Sequence, residues 1–447
     1  MKLPTYSDYK PSGVEWIGDV PEHWEVNRLK YSATINDEIL TETTSPDYEF
    51  DYVDISSVNA IEGITTVDHL FFEEAPSRAR RKVRHGDTIL STVRTYLRAI
   101  APIKDPPENL IVSTGFAVVR PKRVDSTYLA YALRESSFIE SVVSLSVGVS
   151  YPAVNASVVG GIAILIPDSE EQRAIAAFLD NETGRIDKLV AKKKELIERL
   201  EEKRTALISY IVTRGLPPDA ARAVGLPEKP DLKPSEIEWL GDIPAHWEAV
   251  QLRRKAQILD CKHRTVPFID DGIPLASIRE VHGIEVDLSN ANQTSDEEYF
   301  TLIEGDRRPR VGDIIYSRNA TVGDAALVTT NQRFCMGQDV CLIRAPMHHS
   351  RFLIYLFRSE PLMEQVESLM IGSTFRRINV AQIHAFWICV PPHHEQVAIA
   401  SYLDHETAKL DALVAKVKEA IERLQEYRTA LITAAVTGKI DVRKACT

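Results

Sequence analysis

EEQRAIAAFLDNETGRIDKLVAKKKELIERLEEKRTALISYIVT (residues 170–213) returns as HEQVAIASYLDHETAKLDALVAKVKEAIERLQEYRTALITAAVT (394–437), with 28 identities in 44 positions and no gap. A repeat whose period is half the chain means that one structural unit is written twice. Within it Ile186, Leu189, Leu196, Leu200, Leu207 and Ile211 recur at helical steps, broken near Lys193 and Lys203. Leu410, Leu413, Val417, Ile421, Leu424 and Leu431 do the same. No Pro or Gly interrupts 186–213 or 410–437. Each stretch is therefore expected to be a long amphipathic helix, preceded by a shorter one around Glu171–Leu179 and Glu395–Leu403.

Such a helix buries its apolar stripe against a partner, and the nearest partner is its own copy. Packing on its own domain is the plainer alternative. Pairing of the copies under pseudo-twofold symmetry makes them antiparallel, as a coiled coil, and returns the C-terminus towards the first half. About 28 helical residues span roughly 42 Å, a little more than one turn of B-DNA at roughly 34–36 Å.

Outward from the helices, the repeat continues and then fades. VEWIGDVPEHWE (14–25) matches IEWLGDIPAHWE (237–248), but residues 26–147 and 249–371 share only short echoes. Gly86-Asp87 answers Gly312-Asp313, and Gly148-Val149-Ser150 with Asn155 answers Gly372-Ser373-Thr374 with Asn379. The order is variable unit (1–168), helical unit (169–213), Pro-rich linker (214–236), variable unit (237–392), helical unit (393–440) and tail (441–447). Short β-type runs such as Asp51–Val58, Thr88–Val93 and Phe116–Arg120 alternate with helical stretches such as Thr127–Ser137. Ile273–Ile278, Asp313–Ser317, Val340–Arg344 and a helix near Arg351–Met370 mirror them, so the fold class is α+β, with two mixed sheet-and-helix modules. Trp16, Trp24, Trp239 and Trp247 occupy matching turns and are expected to clamp them as buried rings, base stacking being the minor alternative.

The formal net charge is -11, from 53 Lys+Arg and 64 Asp+Glu. A polyanion responds to local clusters rather than to the total. Arg78, Arg80, Arg81, Lys82, Arg84, Arg94 and Arg98 in the first variable unit correspond to Arg307, Arg308, Arg310, Arg318, Arg376 and Arg377 in the second. With Ser91, Thr95, Ser317 and Asn319 beside them, these are candidate phosphate and base contacts. The bland reading of any charge run is a solvated face.

Five cysteines (Cys261, Cys335, Cys341, Cys389, Cys446) form no C-x-x-C pair and are expected to be reduced. No metal site is expected. No phosphate-binding P-loop, Gly-rich cofactor loop, Asn-Pro-Pro-aromatic methyltransferase tetrapeptide, nucleophile elbow or H-E-x-x-H occurs. These absences favour a chain without catalysis of its own. With no apolar leader and no membrane-length apolar run, it is expected to be cytoplasmic.

The elements Trp16–Trp24 with Pro167–Thr183, and Trp239–Trp247 with Pro391–Thr407, resemble those of type I restriction–modification specificity subunits, over essentially the whole chain. The resemblance implies two target recognition domains, each reading half of an asymmetric bipartite site in double-stranded DNA. It also implies a coiled coil that spaces them and docks two modification (methyltransferase) subunits that methylate adenine. S-adenosylmethionine would be bound by those partners, and ATP and Mg by a restriction subunit, a translocase and nuclease, with no cofactor in this chain. A free-standing two-site DNA-binding regulator and a protein scaffold remain as alternatives.

Overall fold

The computed structural model describes residues 4–59, 63–370 and 377–444. The repeated stretches form helices Ser169–Arg214, of 46 residues, and His393–Val436, of 44. The separate shorter helices expected at Glu171–Leu179 and Glu395–Leu403 are not separate. They are the opening turns of the same helices, since no proline follows them and Gly184, in open space, costs only about 1 kcal/mol in a helix interior. Asp168 Oδ1 accepts from the Glu170 and Glu171 amides at 3.0 and 2.9 Å, capping the first helix. Gly215 (φ +89°) and Gly438 (φ +71°) lie just past the helix ends in the left-handed conformation that terminates helices.

The chain divides into two compact units, Met1–Lys193 with Glu419–Thr447, and Lys194–Lys418. Both long helices are shared, so each unit holds one end of each. In the first unit Ile175 and Leu179 share a core with Leu431, Ile432 and Ala435. Arg428 Nε donates to Asp187 Oδ1 there at 3.0 Å. In the second, Ile208, Ile211 and Val212 share a core with Ile399, Ala400 and Leu403. Arg204 Nε lies 3.6 Å from Asp411 Oδ1. In both units one helix advances as the other retreats, so the pairing is antiparallel. Arg204 corresponds to Arg428 and Asp187 to Asp411, so one ion pair is made twice.

The buried seam differs from the expected stripe. Leu189, Leu196 and Leu413 are 44%, 44% and 47% exposed and lie off it. Ile186, Leu410 and Leu431 are buried, and the half-buried positions run Val190, Lys193, Ile197, Leu200, Arg204, Leu207 on one helix and Val414, Val417, Ile421, Leu424, Arg428 on the other. These alternate in steps of three and four, the heptad of a coiled coil. Lys193 and Arg204 therefore fill the apparent breaks, their aliphatic stems packing in the seam.

Each variable region builds the same pair of sheets. In the first unit an antiparallel sheet runs in the order Ile100–Pro102, Thr88–Ser91, Phe116–Pro121, Ala33–Ile35. Its counterpart in the second is Ala325–Leu327, Ile314–Ser317, Val340–Arg344, Gln257–Asp260. The second sheet has Asp68–Phe71, Glu49–Val53, Leu110–Ser113 and Ala79–Lys82, its middle pair parallel. The other unit repeats this with Gln293–Thr294, Ile273–Ala276 and Cys335–Met336, again parallel at the second pair but one strand shorter. Strand Thr88–Ser91 is covered on both faces. Leu90 points into a core with Leu129 and Phe138, while Ile89 points into another with Val112 and Phe116, as the two-residue period requires.

The matching Trp motifs join sheet to helix. Trp24 Nε1, His23 Nε2 and the Tyr6 hydroxyl converge on the buried Glu171 carboxylate at 3.1, 2.8 and 2.6 Å. Trp247 Nε1 and His246 Nε2 reach Glu395 at 2.9 and 2.7 Å. Trp24 and Trp247 are fully buried, whereas Trp16 is exposed and Trp239 half-buried. The chain end returns to the first unit, where the Asp441 amide donates to the Pro4 carbonyl at 2.8 Å. Residues 214–236, read as a linker, contain helix Pro218–Ala223 and bury Leu216 and Ala221 in the second unit's core. Among the described residues, no helix is long and apolar enough to cross a membrane.

Candidate nucleic-acid surfaces

The Gly-Asp echo proves to be a clamp. Gly86, at φ +86°, turns the chain so that buried Asp87 accepts from Arg120 Nε at 3.0 Å and Nη2 at 2.8 Å. Gly312, at φ +95°, does the same for Asp313 and Arg344, at 2.9 and 2.7 Å. A bidentate, charge-assisted pair fixes both angle and distance. Each clamp anchors the strand whose far end carries the candidate contacts, Thr88–Ser91 and Ile314–Ser317.

In the first unit, Ser91 and Thr95 are buried and do not face solvent. Ser91 Oγ donates to the Val93 carbonyl, and Thr95 Oγ1 meets Ser146 Oγ at 2.8 Å, so both hold a loop rather than offer a contact. That loop, 92–98, contains the 3-10 turn Thr95–Leu97 between Arg94 and Arg98, both left-handed at φ +53°. It is bonded to a second loop: the Arg94 amide donates to the Pro152 carbonyl at 2.8 Å, and Ala153 bridges both Val93 and Val147. The Arg94 guanidinium lies over the Tyr151 ring, 4.8 Å from its centroid. Arg98 pairs with Glu140 and Arg84 with Glu38. Lys82 is exposed at the end of strand Ala79–Lys82, with no acidic partner among the described residues.

In the second unit, Ser317 and Arg318 are likewise interior. Arg318 is 3% exposed and places Nη2 2.7 Å from Asp260 Oδ1 and 3.4 Å from His263 Nε2. Asp260, Cys261 and His263 bring potential metal-ligating atoms within 4.8 Å of one another, but the Arg318 cation already sits against that corner. Ser317 Oγ donates to the Asn319 carbonyl at 3.2 Å. Arg307 is tied to the Asp260 and Glu304 carbonyls, both at 2.7 Å, and Arg310 to Asp306. Arg308 is exposed. Asn319 Nδ2 donates to Asp339 Oδ2 at 3.1 Å, and Arg377 lies 3.4 Å from the other oxygen, giving a hydrogen-bonded group at the strand end. Arg376 lies outside the described residues.

The outward-facing set is thus Lys82, Arg84, Arg94 and Arg98 in one unit and Arg308, Arg310, Asn319 and Arg377 in the other. Ser91, Thr95, Ser317 and Arg318 are corrected to interior positions: Ser91 and Ser317 end strands buried on both faces, Thr95 is bonded to Ser146 inside the loop, and Arg318 follows its strand into contact with Asp260. Sequence reasoning missed the Arg120 and Arg344 clamps, since their partners lie 33 and 31 residues away. It also missed the exposed Tyr96, Val147, Val149 and Tyr151 beside Arg94. Behind these surfaces Tyr131 donates to Asp180 and Tyr355 to Asp404, at 2.8 and 2.5 Å. Burial pushes both hydroxyls up to about 12, so they stay protonated donors at neutral pH.

A family model described as the type I restriction modification DNA specificity domain matches residues 21–199 and 282–423. The type I restriction enzyme MjaIX specificity subunit of Methanocaldococcus jannaschii is 22% identical over 445 residues, covering 96% of each chain. The MjaVIII specificity subunit of the same organism is 24% identical over 335 residues, 72% of each chain. A solved chain described under complex assembly and conformational transition of the type I R-M system superposes with a TM-score of 0.70 at 23% identity. It spans 93% of this chain and 98% of its own.

Proposed function

This chain belongs to the type I restriction modification DNA specificity family, and from that premise we propose that each of its units reads one half of an asymmetric, bipartite DNA site. The observation that carries the proposal is one frame built twice, with the same Asp–Arg clamp behind it and different residues at its outward strand ends. Identical frames with different faces suit two different half-sites. Exposed Lys82, Arg94 and Arg308 supply phosphate contacts, while Asn319 and Arg377 read base edges. The antiparallel helices set the gap between half-sites and dock two modification subunits. Those subunits bind S-adenosylmethionine and methylate adenine, and a restriction subunit using ATP and Mg joins them to cut unmodified DNA.

An acidic chain grips DNA weakly on its own, because few phosphates are neutralised. The modification subunits complete the grip. The test is to express this chain with its modification subunit and map methylated adenines across a host genome. One gapped, asymmetric motif that vanishes when this chain is omitted is the expected result. A motif that persists without it, or none, contradicts the proposal and favours a scaffold. Tight, specific binding by the isolated chain favours a free-standing regulator.

A further inference from the structure

Loops 92–98 and 145–153 of the first unit form one tip, joined by the Thr95–Ser146 contact, the Arg94–Pro152 bond and the Ala153 bridges. At that tip Tyr96, Leu97, Val147, Val149 and Tyr151 are all exposed, Val147 by 81% and Val149 completely. Gly148, at φ +118°, makes the turn, and a Cβ there would lie 3.1 Å from the Tyr151 carbonyl oxygen. The valines are therefore held outward by a bonded hairpin. A contiguous exposed apolar patch of this kind marks a binding surface.

The charge pattern selects the occupant. Residues 88–104 and 141–167, which build the tip, contain no Asp or Glu, in a chain with 64 of them. The charged groups at the tip are Arg94, stacked on Tyr151, and Arg98, which pairs with Glu140 at its base. An apolar projection carrying the Arg94 guanidinium suits a polyanion that also offers an apolar group. Duplex DNA does so in its major groove, which admits a two-stranded ribbon and whose one apolar group is the thymine 5-methyl. Valine can neither donate nor accept a hydrogen bond, so a methyl is what it can discriminate. Where Val93 bridges Ala153 at the base of this tip, the second unit bridges Asn319 to Arg377, with Asp339 beside both side chains.

We propose that the 147–153 hairpin enters the major groove of the first unit's half-site and reads thymine 5-methyl groups through Val147 and Val149. The inference rests on the bipartite DNA-reading function proposed above.

The experiment uses the complex with its modification subunits and duplexes carrying the methylation-defined motif. Each thymine of the first half-site is replaced in turn by deoxyuridine, which removes only the methyl group. Binding is expected to fall about fourfold at each contacted position, the value of about 0.8 kcal/mol for one buried methyl-sized group. At the thymine read by Val149, the Val149→Ser complex should bind the thymine and deoxyuridine duplexes equally while still discriminating the second half-site. Unchanged binding of every deoxyuridine duplex, with the motif still recognised, overturns methyl reading but leaves the bipartite function standing. A half-site without thymine on either strand does the same. A Val149→Ser loss that is equal for thymine and deoxyuridine duplexes indicates a wedge between base steps and also overturns it. Absence of any sequence-specific binding overturns the underlying function and this inference together.

Discussion

The first unit anchors its helix through Tyr6, His23 and Trp24 on Glu171, and the second anchors the equivalent helix through His246 and Trp247 on Glu395. The Asp–Arg clamp, the Tyr–Asp bond and the interhelical Arg–Asp pair are likewise made twice. At the strand ends this likeness stops. One unit bridges Val93 to Ala153 there, while the other bridges Asn319 to Arg377, with Asp339 beside both side chains. Repetition persists where a side chain holds the frame and is lost where it faces outward. A division of that kind fits a scaffold whose readout can change without its fold changing.

The comparison can be broken most forcefully at the clamps. Asp87→Ala or Asp313→Ala removes two charge-assisted hydrogen bonds from a guanidinium that keeps Glu38 and Asp37, or Asp306, as acidic neighbours, and should cost about 3–5 kcal/mol. Hydrogen exchange should rise in the unit carrying the change and stay near its original level in the other. Equal loosening of both units would show that the frames are not independent.

Glu171→Ala and Glu395→Ala should follow, at about 2–4 kcal/mol each by urea denaturation, because buried donors lose their acceptor. Glu171 serves one donor more, so its loss should exceed that of Glu395 by about 1 kcal/mol. The reverse order would mean that the Tyr6 bond contributes nothing.

Gly148→Ala forces a side chain into a left-handed turn, with a local cost of about 1–3 kcal/mol. Discrimination at the first half-site should weaken while that at the second is kept, as binding to singly mismatched duplexes can measure. The smallest expected change is that of Lys82→Ala. It should flatten the slope of log affinity against log salt by about 1, uniformly across sequences. A change in preferred sequence instead would make Lys82 a base reader.

The long helices and the twofold plan were legible because a 44-residue repeat at high identity leaves little room for another reading. Which leucines meet was less legible. Leu189, Leu196 and Leu413 look like seam residues by composition, yet the seam keeps its heptad by running through Lys193 and Arg204. Sheet order was hidden, since strands of two to six residues pair with distant partners and the two variable regions share few residues. Among candidate contacts, Lys82, Arg84, Arg94, Arg98, Arg308, Arg310 and Arg377 are exposed, whereas the hydroxyls read beside them are not. Ser91 and Ser317 sit where alternation sends side chains into cores on both faces. Val147 and Val149 carried the opposite disguise, since valines in an uncharged run read as core, and only the Gly148 turn sets them outside.

The most direct test of the account is to map methylated adenines made with a variant carrying matched seven-residue insertions after Glu195 and after Glu419, positions equivalent in the repeat. One heptad lengthens a helix by about 10 Å, about three base pairs of B-DNA. Both half-sequences should be retained and the gap between them widened by that amount, while an insertion in one helix alone should disrupt recognition by breaking the register. An unchanged gap in the doubly inserted variant would contradict the claim that the paired helices set the spacing between two independently read half-sites.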